Sequence, residues 1–330
     1  MPKVVRFYET GGPDVLKFEE VPPQQPEKGE VRLKVQAIGL NRAESMFYRG
    51  QYLYQPMFPA GLGYEAAGIV ETVGSDVDKS WIGKRVSTVP AFSLNEYSMV
   101  GEAVIAPVGA VAEYPTNLSP VEGAAVWMQY VTAYGALKAI ANVTKGDFVV
   151  ITAASSSVGT AAIELVKAEG GKSIATTRNS GKKEELTRLG ADHVIATDEE
   201  DYVTTVAEIS GGKGARVTFD PIAGPFLEKL AQAAQAGGII FAYGALSGQP
   251  TPFPLLAVLS KGLSVRGYTL MEITLVPEKL AVAKKYIYER LGNGQFRPKI
   301  AKTFPFAQTV EAYRYLESNA QIGKIVVTVP

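Results

Sequence analysis

The sequence predicts an α/β protein of two domains: a β-barrel or sandwich built from both chain ends, and an inserted doubly wound sheet of six parallel strands. Three observations carry this. Up to about residue 120, short alternating runs are broken by Gly and Pro, the texture of antiparallel β structure. From about Leu118 to residue 270, apolar strands alternate with helical segments, as parallel strands require, because each connection must cross a face of the sheet. Beyond residue 270 the pattern changes to helices and a terminal strand.

The first region contains VVRFYE, LKFEEVP, EVRLKVQAIGLN, AAGIVETVG, KRVSTVP and NEYSMVGEAVIAPV, each read as a strand. NLSPVEGAAVWMQYVTAYGALKAIANV then reads as helical, begun by Ser119 and Pro120, a cap residue followed by proline. Strands DFVVIT, SIATT, HVIAT, ARVTFD, GGIIFAYG and LSVRGYTL follow, with helices near 157–169, 181–189, 201–210, 225–236 and 253–262. The last region holds a helix around LAVAKKYIYERLGNG, a segment RPKIAKTFPF, a helix around QTVEAYRYLESN and the strand KIVVTVP. The expected domains are 1–122 with 271–330, and 123–270. The crevice between two such domains is the default ligand site.

The 330 residues are 46% apolar, enough to give both domains a core. With 33 basic and 33 acidic residues the net charge is zero, so no global field draws the chain to nucleic acid or an anionic membrane. Small molecules or a second copy are the expected partners. The absence of cysteine excludes disulfides and thiolate catalysis, and removes the commonest structural-zinc ligand. The single histidine, His193 in GADHVI, cannot form a multi-histidine metal site, and any Ser/His/Asp triad would have to pass through it. A structural or solvent-facing role is expected for it. MPKVVRFYETGG opens directly as a strand, without a charged leader and apolar stretch, and no apolar run reaches the roughly 18 residues of a membrane span. The expectation is a soluble, cytoplasmic protein.

ITAASSSVG, Ile151 to Gly159, lies where a dinucleotide fold carries its glycine-rich turn, yet only Gly159 is a glycine. The glycines of that turn permit a tight bend, close phosphate approach and close helix packing, while the next helix points free N–H groups at the pyrophosphate. Serine is small, and its hydroxyl can cap a helix or donate to a phosphate oxygen. Ser155, Ser156, Ser157, Val158 and Gly159 can therefore do the same work if no serine needs positive φ. A plain βα turn would equally favour serine at a helix start. The position favours a cofactor, because this is the first strand of the six, where strand order reverses in such folds. About 20 residues on, an NAD site places Asp or Glu, but here the chain reads ATTRNSGKK. Arg178, Ser180, Lys182 and Lys183 offer cations and a hydroxyl to a 2′-phosphate, so NADPH is the expected cofactor. A solvated basic helix start is the alternative, although cations there oppose the helix dipole.

QAIGLNRAES, FPAGLGYEAAGIVETVG, AAVWMQYVTAYGAL, AASSSVG, GADHVI, FDPIAG and GKIVVTVP together make the chain resemble, over essentially its whole length, the medium-chain dehydrogenase/reductase superfamily and its zinc-independent quinone oxidoreductase-like branch. The resemblance implies a GroES-like catalytic domain, an inserted Rossmann domain, and commonly a homodimer in which LSVRGYTL pairs between subunits. It carries cofactor contacts onto Asn41, Thr132, the turn from Ser155 to Gly159, Arg178, Lys182, Tyr243, Gly244, Tyr268, Thr269, Asn319 and Lys324. Zinc-dependent members carry GHE where this chain has GYE, so Tyr64 replaces a ligand histidine. Their cysteine ligand near Asn41 and their cysteine-rich lobe are also missing, and no metal is expected. Thr197 stands where some members place an aromatic residue near adenine, and Met46 where quinone reductases often carry tyrosine.

Without zinc to polarise a carbonyl, hydride delivery from NADPH suits acceptors that are already electron-poor, namely quinones and α,β-unsaturated carbonyls. Hydride at the β carbon leaves an enolate that needs hydrogen-bond donors and a proton. Tyr52 matches the tyrosine that related enoyl reductases use as proton donor; alternatively it packs an irregular loop. Tyr64 and Tyr48 are pocket candidates, and Asn41 could hold the nicotinamide ribose or the substrate carbonyl. Glu65 could bond Asn41 or Arg49 as a structural group. A reductase of enoyl thioesters, and a non-catalytic nucleotide-binding protein of crystallin-like or sensor type, are the alternative functions.

Overall fold

The computed structural model describes residues 1–330. Contacts divide them into two units, Met1–Met128 with Ile273–Pro330, and Gln129–Glu272. The first unit begins with strands β1 (Lys3–Phe7), β2 (Lys17–Glu20), β3 (Glu30–Gly39), β4 (Ala60–Gly61), β5 (Glu65–Val73), β6 (Arg85–Thr88), β7 (Ala103–Pro107) and β8 (Val111–Glu113). The second holds β9 (Phe148–Ile151), β10 (Lys172–Thr177), β11 (His193–Ala196), β12 (Ala215–Asp220), β13 (Ala234–Ala242) and β14 (Ser264–Gly267). β15 (Ile300–Pro305) and β16 (Lys324–Thr328) return to the first unit.

In the first unit a sheet runs β15-β16-β3-β5-β6-β8, with β7 also on β3, beside a small sheet β2-β1-β4. β3 is its hub. Val31, Leu33, Val35 and Ala37 are buried at every second position, the period of a strand with one face on a core. Gly68 lets β5 approach it, since a Cβ there would lie 2.1 Å from the Lys34 carbonyl oxygen. β16 pairs antiparallel with β3, joining the last residues of the chain to the N-terminal strands.

The second unit is a parallel sheet in the order β11-β10-β9-β12-β13-β14. The order reverses at β9, whose Val149, Val150 and Ile151 are all buried, as expected of a strand covered on both faces. Ile174, Ile195, Tyr202, Leu230 and Ile240 form a core cluster of this unit.

Several elements depart from the sequence-based expectation. NEYSMVGEAVIAPV is a strand only over β7; before it Val100 N–H donates to Leu62 O and Gly101 makes a single bridge to Val4. GGIIFAYG starts earlier, at Ala234, and the expected helix 225–236 closes at Ala233. Gly237, at φ 72°, accompanies the register shift that admits this longer strand beside Ala215 and Val217. LSVRGYTL ends as a strand at Gly267, after which Tyr268 is buried and its hydroxyl donates to Val131 O at 3.4 Å. The helical region divides into Pro120–Gly123, Trp127–Ala133 and a π-helical Tyr134–Ile140. Ser119 and Glu122 cap its start reciprocally. Helices Arg42–Tyr48 and Met271–Thr274 were not expected from the sequence.

Candidate active and cofactor sites

Asn41 ends β3's exit loop and caps helix Arg42–Tyr48. Its N–H donates to Glu44 Oε2 at 3.0 Å, and its Nδ2 to Glu44 Oε1 at 3.1 Å and Glu65 Oε2 at 3.2 Å. Glu44 also accepts from Tyr64 N–H at 3.0 Å and Tyr313 Oη at 2.7 Å. Lys324 Nζ donates to Asn41 Oδ1 at 2.6 Å and pairs with Glu65 Oε2, while Glu65 Oε1 accepts Met128 N–H at 2.9 Å. Glu44, Glu65 and Lys324 are fully buried. Charges taken from water are costly unless every polar atom finds a partner, and this network supplies them. Burial raises the Glu44 pKa, opposed by its hydrogen bonds from Tyr313, Asn41 and Tyr64. Asn41 and Lys324 thus have their polar groups engaged within this unit.

Of the two partners expected for Glu65, Asn41 is the one it meets. Arg49 instead pairs with Glu317 at 2.7 Å, and Tyr48 Oη donates to the same carboxylate at 2.7 Å. Tyr48 is buried against Tyr313 and is not brought to Tyr52. Asn319, at φ 58°, closes helix Thr309–Glu317, accepting from Arg42 and donating to Glu317 O at 3.2 Å.

The structure does bring Tyr52 and Tyr64 together, hydroxyl to hydroxyl at 3.2 Å. A third tyrosine, Tyr54, joins them: its Oη lies 2.9 Å from Tyr64 Oη and accepts Leu94 N–H at 3.0 Å. Sequence reasoning missed Tyr54, which follows Tyr52 by two positions in QYLYQ and is brought to Tyr64 by a bent loop. Phe47 meets both rings edge-on, at 6.2 and 5.7 Å between centroids, and Phe92 packs on Tyr64 at 5.7 Å. Tyr64 is fully buried and Tyr52 only partly. Burial raises both phenols. Hydrogen bonds with Tyr52 and Tyr54 raise Tyr64 further, whereas the bond with Tyr64 pulls Tyr52 back. Tyr52 therefore has the more readily released proton and the more accessible ring. No group of three or more His, Asp and Glu side chains is placed to hold a metal ion, and His193 is exposed at the start of β11.

In the second unit β9 delivers the serine turn. The one positive φ is at Ala153, 46°, so no serine bears that strain. Ser156 caps helix Ser157–Ala168, its Oγ accepting Gly159 N–H at 3.0 Å. The N–H groups of Ser157 and Val158 make no hydrogen bond within the protein, and the helix dipole directs positive potential along them. A Cβ on Gly159 would stand 2.6 Å from Ala154 Cα. Lys182 Nζ donates to Ser155 Oγ at 3.2 Å; burial lowers its pKa, and the charge of Arg178 lowers it further.

The basic stretch does not act as one anion site. Ser180 N–H and Oγ both donate to Glu199 Oε1, at 3.0 and 3.3 Å, and Lys183 pairs with Glu200 at 2.8 Å. These carboxylates follow β11, the strand paired beside β10, and lie outside ATTRNSGKK. Ser180 and Lys183, expected as phosphate partners, are therefore engaged with carboxylates, whereas Arg178 is exposed and forms no ion pair. Thr132 is buried in helix Trp127–Ala133. Tyr243 stacks on Phe219 at 4.0 Å, its hydroxyl buried without a partner. A Cβ on Gly244 would meet Pro221 O at 2.7 Å. Thr269 O accepts Glu272 N–H at 3.2 Å, and Thr197 Oγ1 donates to Thr177 O at 3.3 Å. Two free N–H groups at a helix start, a glycine with no room for a side chain, and Lys182 and Arg178 nearby fit a dinucleotide that carries an extra phosphate.

The parallel sheet, its order reversing at a serine turn, and the barrel unit with its tyrosine cluster define a two-domain dehydrogenase or reductase. A family model described as an alcohol dehydrogenase GroES-like domain matches residues 27–126, and one described as a zinc-binding dehydrogenase matches residues 157–285. Quinone oxidoreductase 1 of Escherichia coli (strain K12) is 31% identical over 322 residues, 97% of each chain. A 2-haloacrylate reductase from a Burkholderia species is 30% identical over 334 residues, again 97% of each. The crystal structure of Escherichia coli quinone oxidoreductase complexed with NADPH matches with a TM-score of 0.90 at 29% identity, covering 99% of both chains. This chain belongs to the medium-chain dehydrogenase/reductase superfamily, in its zinc-independent quinone oxidoreductase-like branch.

Proposed function

We propose that the chain is an NADPH-dependent oxidoreductase that works without zinc and reduces a quinone or an α,β-unsaturated carbonyl. The observation that carries this reading is the serine turn, with its two free N–H groups and Lys182 beside it, in a chain of this family. Bound NADPH supplies the hydride. The N–H groups of Ser157 and Val158 receive the diphosphate, with Gly159 holding the helix start close, and Lys182 and Arg178 receive the 2′-phosphate. Thr132, Tyr243, Gly244, Tyr268 and Thr269 shape the remaining cofactor surface of that unit. Asn41, Asn319 and Lys324, the other residues read as cofactor contacts, belong to the barrel unit, where their polar bonds fix backbone and helix ends.

Tyr52 is the proton donor in this reading, with Tyr64 behind it. A relative named for 2-haloacrylate, itself an α,β-unsaturated acid, keeps the enone class beside the quinone class. Residues 123–270 are the nucleotide domain, and 1–122 with 271–330 the catalytic domain. The chain has no helix long and apolar enough to cross a membrane, and a cytoplasmic location is proposed. So is a homodimer: β14 pairs only with β13, and the helix before it exposes Leu256 (80%) and Leu259 (69%).

The test is NADPH oxidation with a small quinone and with a simple enone, for wild type and Tyr52→Phe, together with titration of NADPH and NADH. Turnover with NADPH binding more tightly is expected. Binding without turnover of any acceptor would favour the non-catalytic alternative, and tighter binding of NADH would refute the roles of Lys182 and Arg178.

A further inference from the structure

The geometry points to Tyr54 and Tyr64 as positioning residues that turn the Tyr52 proton away from the cluster and steady the phenolate it leaves. This rests on the proposed role of Tyr52 as proton donor. Its starting point is a donor whose direction is fixed. Leu94 is backbone, so its N–H can only donate, and it lies 3.0 Å from Tyr54 Oη. In the proposed order the Tyr54 hydroxyl, already accepting from Leu94, donates onward to Tyr64 Oη, 2.9 Å away. In that order Tyr64 Oη, accepting from Tyr54, donates in turn to Tyr52 Oη, 3.2 Å away. Tyr52 has no other hydrogen-bond partner, so in this order its own proton is the one that points outside the chain of hydroxyls. Linked hydroxyls polarise one another in this way.

The order of acidities agrees with this direction. Tyr64 lies above Tyr52 because burial and both neighbours raise it, while its bond lowers Tyr52. Negative charge formed at Tyr52 therefore stays there and is not passed inward. In enone reduction, hydride forms the new β-carbon C–H bond and the double-bond electron pair becomes an enolate. The Tyr52 Oη–H bond then breaks and its proton forms the α-carbon C–H bond. The resulting phenolate accepts the Tyr64 hydroxyl until water returns a proton. With a quinone, the hydroquinone anion is a weaker base and leans less on this donor.

The experiment uses the NADPH-loaded full chain with a simple enone and a small quinone, measuring kcat, KM and solvent deuterium isotope effect. Tyr64→Phe removes a donor to a charged oxygen, and enone kcat should fall about tenfold or more. Tyr54→Phe acts through Tyr64 and should cost about threefold. In both variants the enone isotope effect should rise, KM should stay near the wild-type value, and quinone kcat should fall by a smaller factor. Tyr54→Phe leaves Leu94 N–H without its acceptor, so a folding defect there is separated by Tyr64→Phe, which keeps the Leu94–Tyr54 bond. The double variant should be no slower than Tyr64→Phe alone. Equal losses with enone and quinone, or an unchanged isotope effect in Tyr64→Phe, overturn the inference while leaving the reductase reading standing. No turnover of either acceptor by the wild type sinks that reading, and this inference with it.

Discussion

Replacing Gly159 by alanine tests whether the serine turn depends on close packing of its helix. The added Cβ would lie 2.6 Å from both Ala154 Cα and Ala154 O, and 2.7 Å from Ala154 C. These are backbone atoms, so no side chain can swing aside; the helix start or the turn must move by about half an ångström, and overpacking of this kind costs about 1–3 kcal/mol. Opposing this, alanine is favoured over glycine in a helix by about 1 kcal/mol. Because three backbone atoms are met at once, the upper part of the steric range applies, leaving a net loss of about 1–2 kcal/mol. The same movement displaces the free N–H groups of Ser157 and Val158, so NADPH should bind about tenfold more weakly. Denaturant unfolding of the apoprotein and fluorescence titration of NADPH measure the two effects. A Gly159→Ala protein that is more stable than wild type and binds NADPH equally well would refute the packing argument and the diphosphate assignment together.

Three further perturbations address the charges. Lys182→Ala should raise the NADPH Kd by about tenfold or more, the worth of a charge-assisted contact, with a much smaller change for NADH; equal changes would place Lys182 away from the 2′-phosphate. Glu199→Gln removes the negative charge held on Ser180 and should tighten NADPH relative to NADH by a few fold; an unchanged preference would mean that Ser180 lies outside the site. Lys324→Met leaves the Glu65 carboxylate buried without its cation and should cost about 3–5 kcal/mol in denaturant unfolding; a loss under 1 kcal/mol would show the pair to be dispensable.

Much of the architecture was legible because periodicity reports burial directly. The alternation of Val31, Leu33, Val35 and Ala37 marks β3, and the unbroken apolar run of β9 marks a strand covered on both faces. Irregular segments were not legible. Residues 95–102 alternate like a strand but make only scattered backbone bonds, to Leu62 O and Lys3 O and from Val5 N–H, a choice made by tertiary pairing. Helix Arg42–Tyr48 begins with an asparagine cap and a glutamate at its third position, a box visible in NRAE yet hidden inside an apparent strand end. At the candidate sites, residue types were legible and partners were not. Ser180, Lys183 and Lys324 all read as cofactor ligands, and each meets a carboxylate that is 17 or more positions away. Sequence proximity cannot show such pairings, because the sheet order decides which loops meet.

The tyrosine cluster also bears on which acceptors the barrel unit can serve. Tyr52 and Tyr64 are protonated at neutral pH, as an ordinary phenol is, and burial raises the pKa of both further. Such a phenol is too weak an acid to protonate an unactivated ketone, whose oxygen is a feeble base. It can protonate an enolate, whose basicity appears only once hydride has been delivered. In its proposed role as donor, Tyr52 is matched to charge that develops during the reaction, which is the condition for lowering a barrier rather than merely holding substrate. A zinc site acts at the other end of the reaction coordinate, polarising the carbonyl from the start. With Tyr64 in GYE hydrogen-bonded into a phenol chain, the acceptor must bring its own activation, as conjugated carbonyls and quinones do and simple ketones do not. Reduction of a saturated ketone at a rate comparable to the corresponding enone would contradict this account of the cluster.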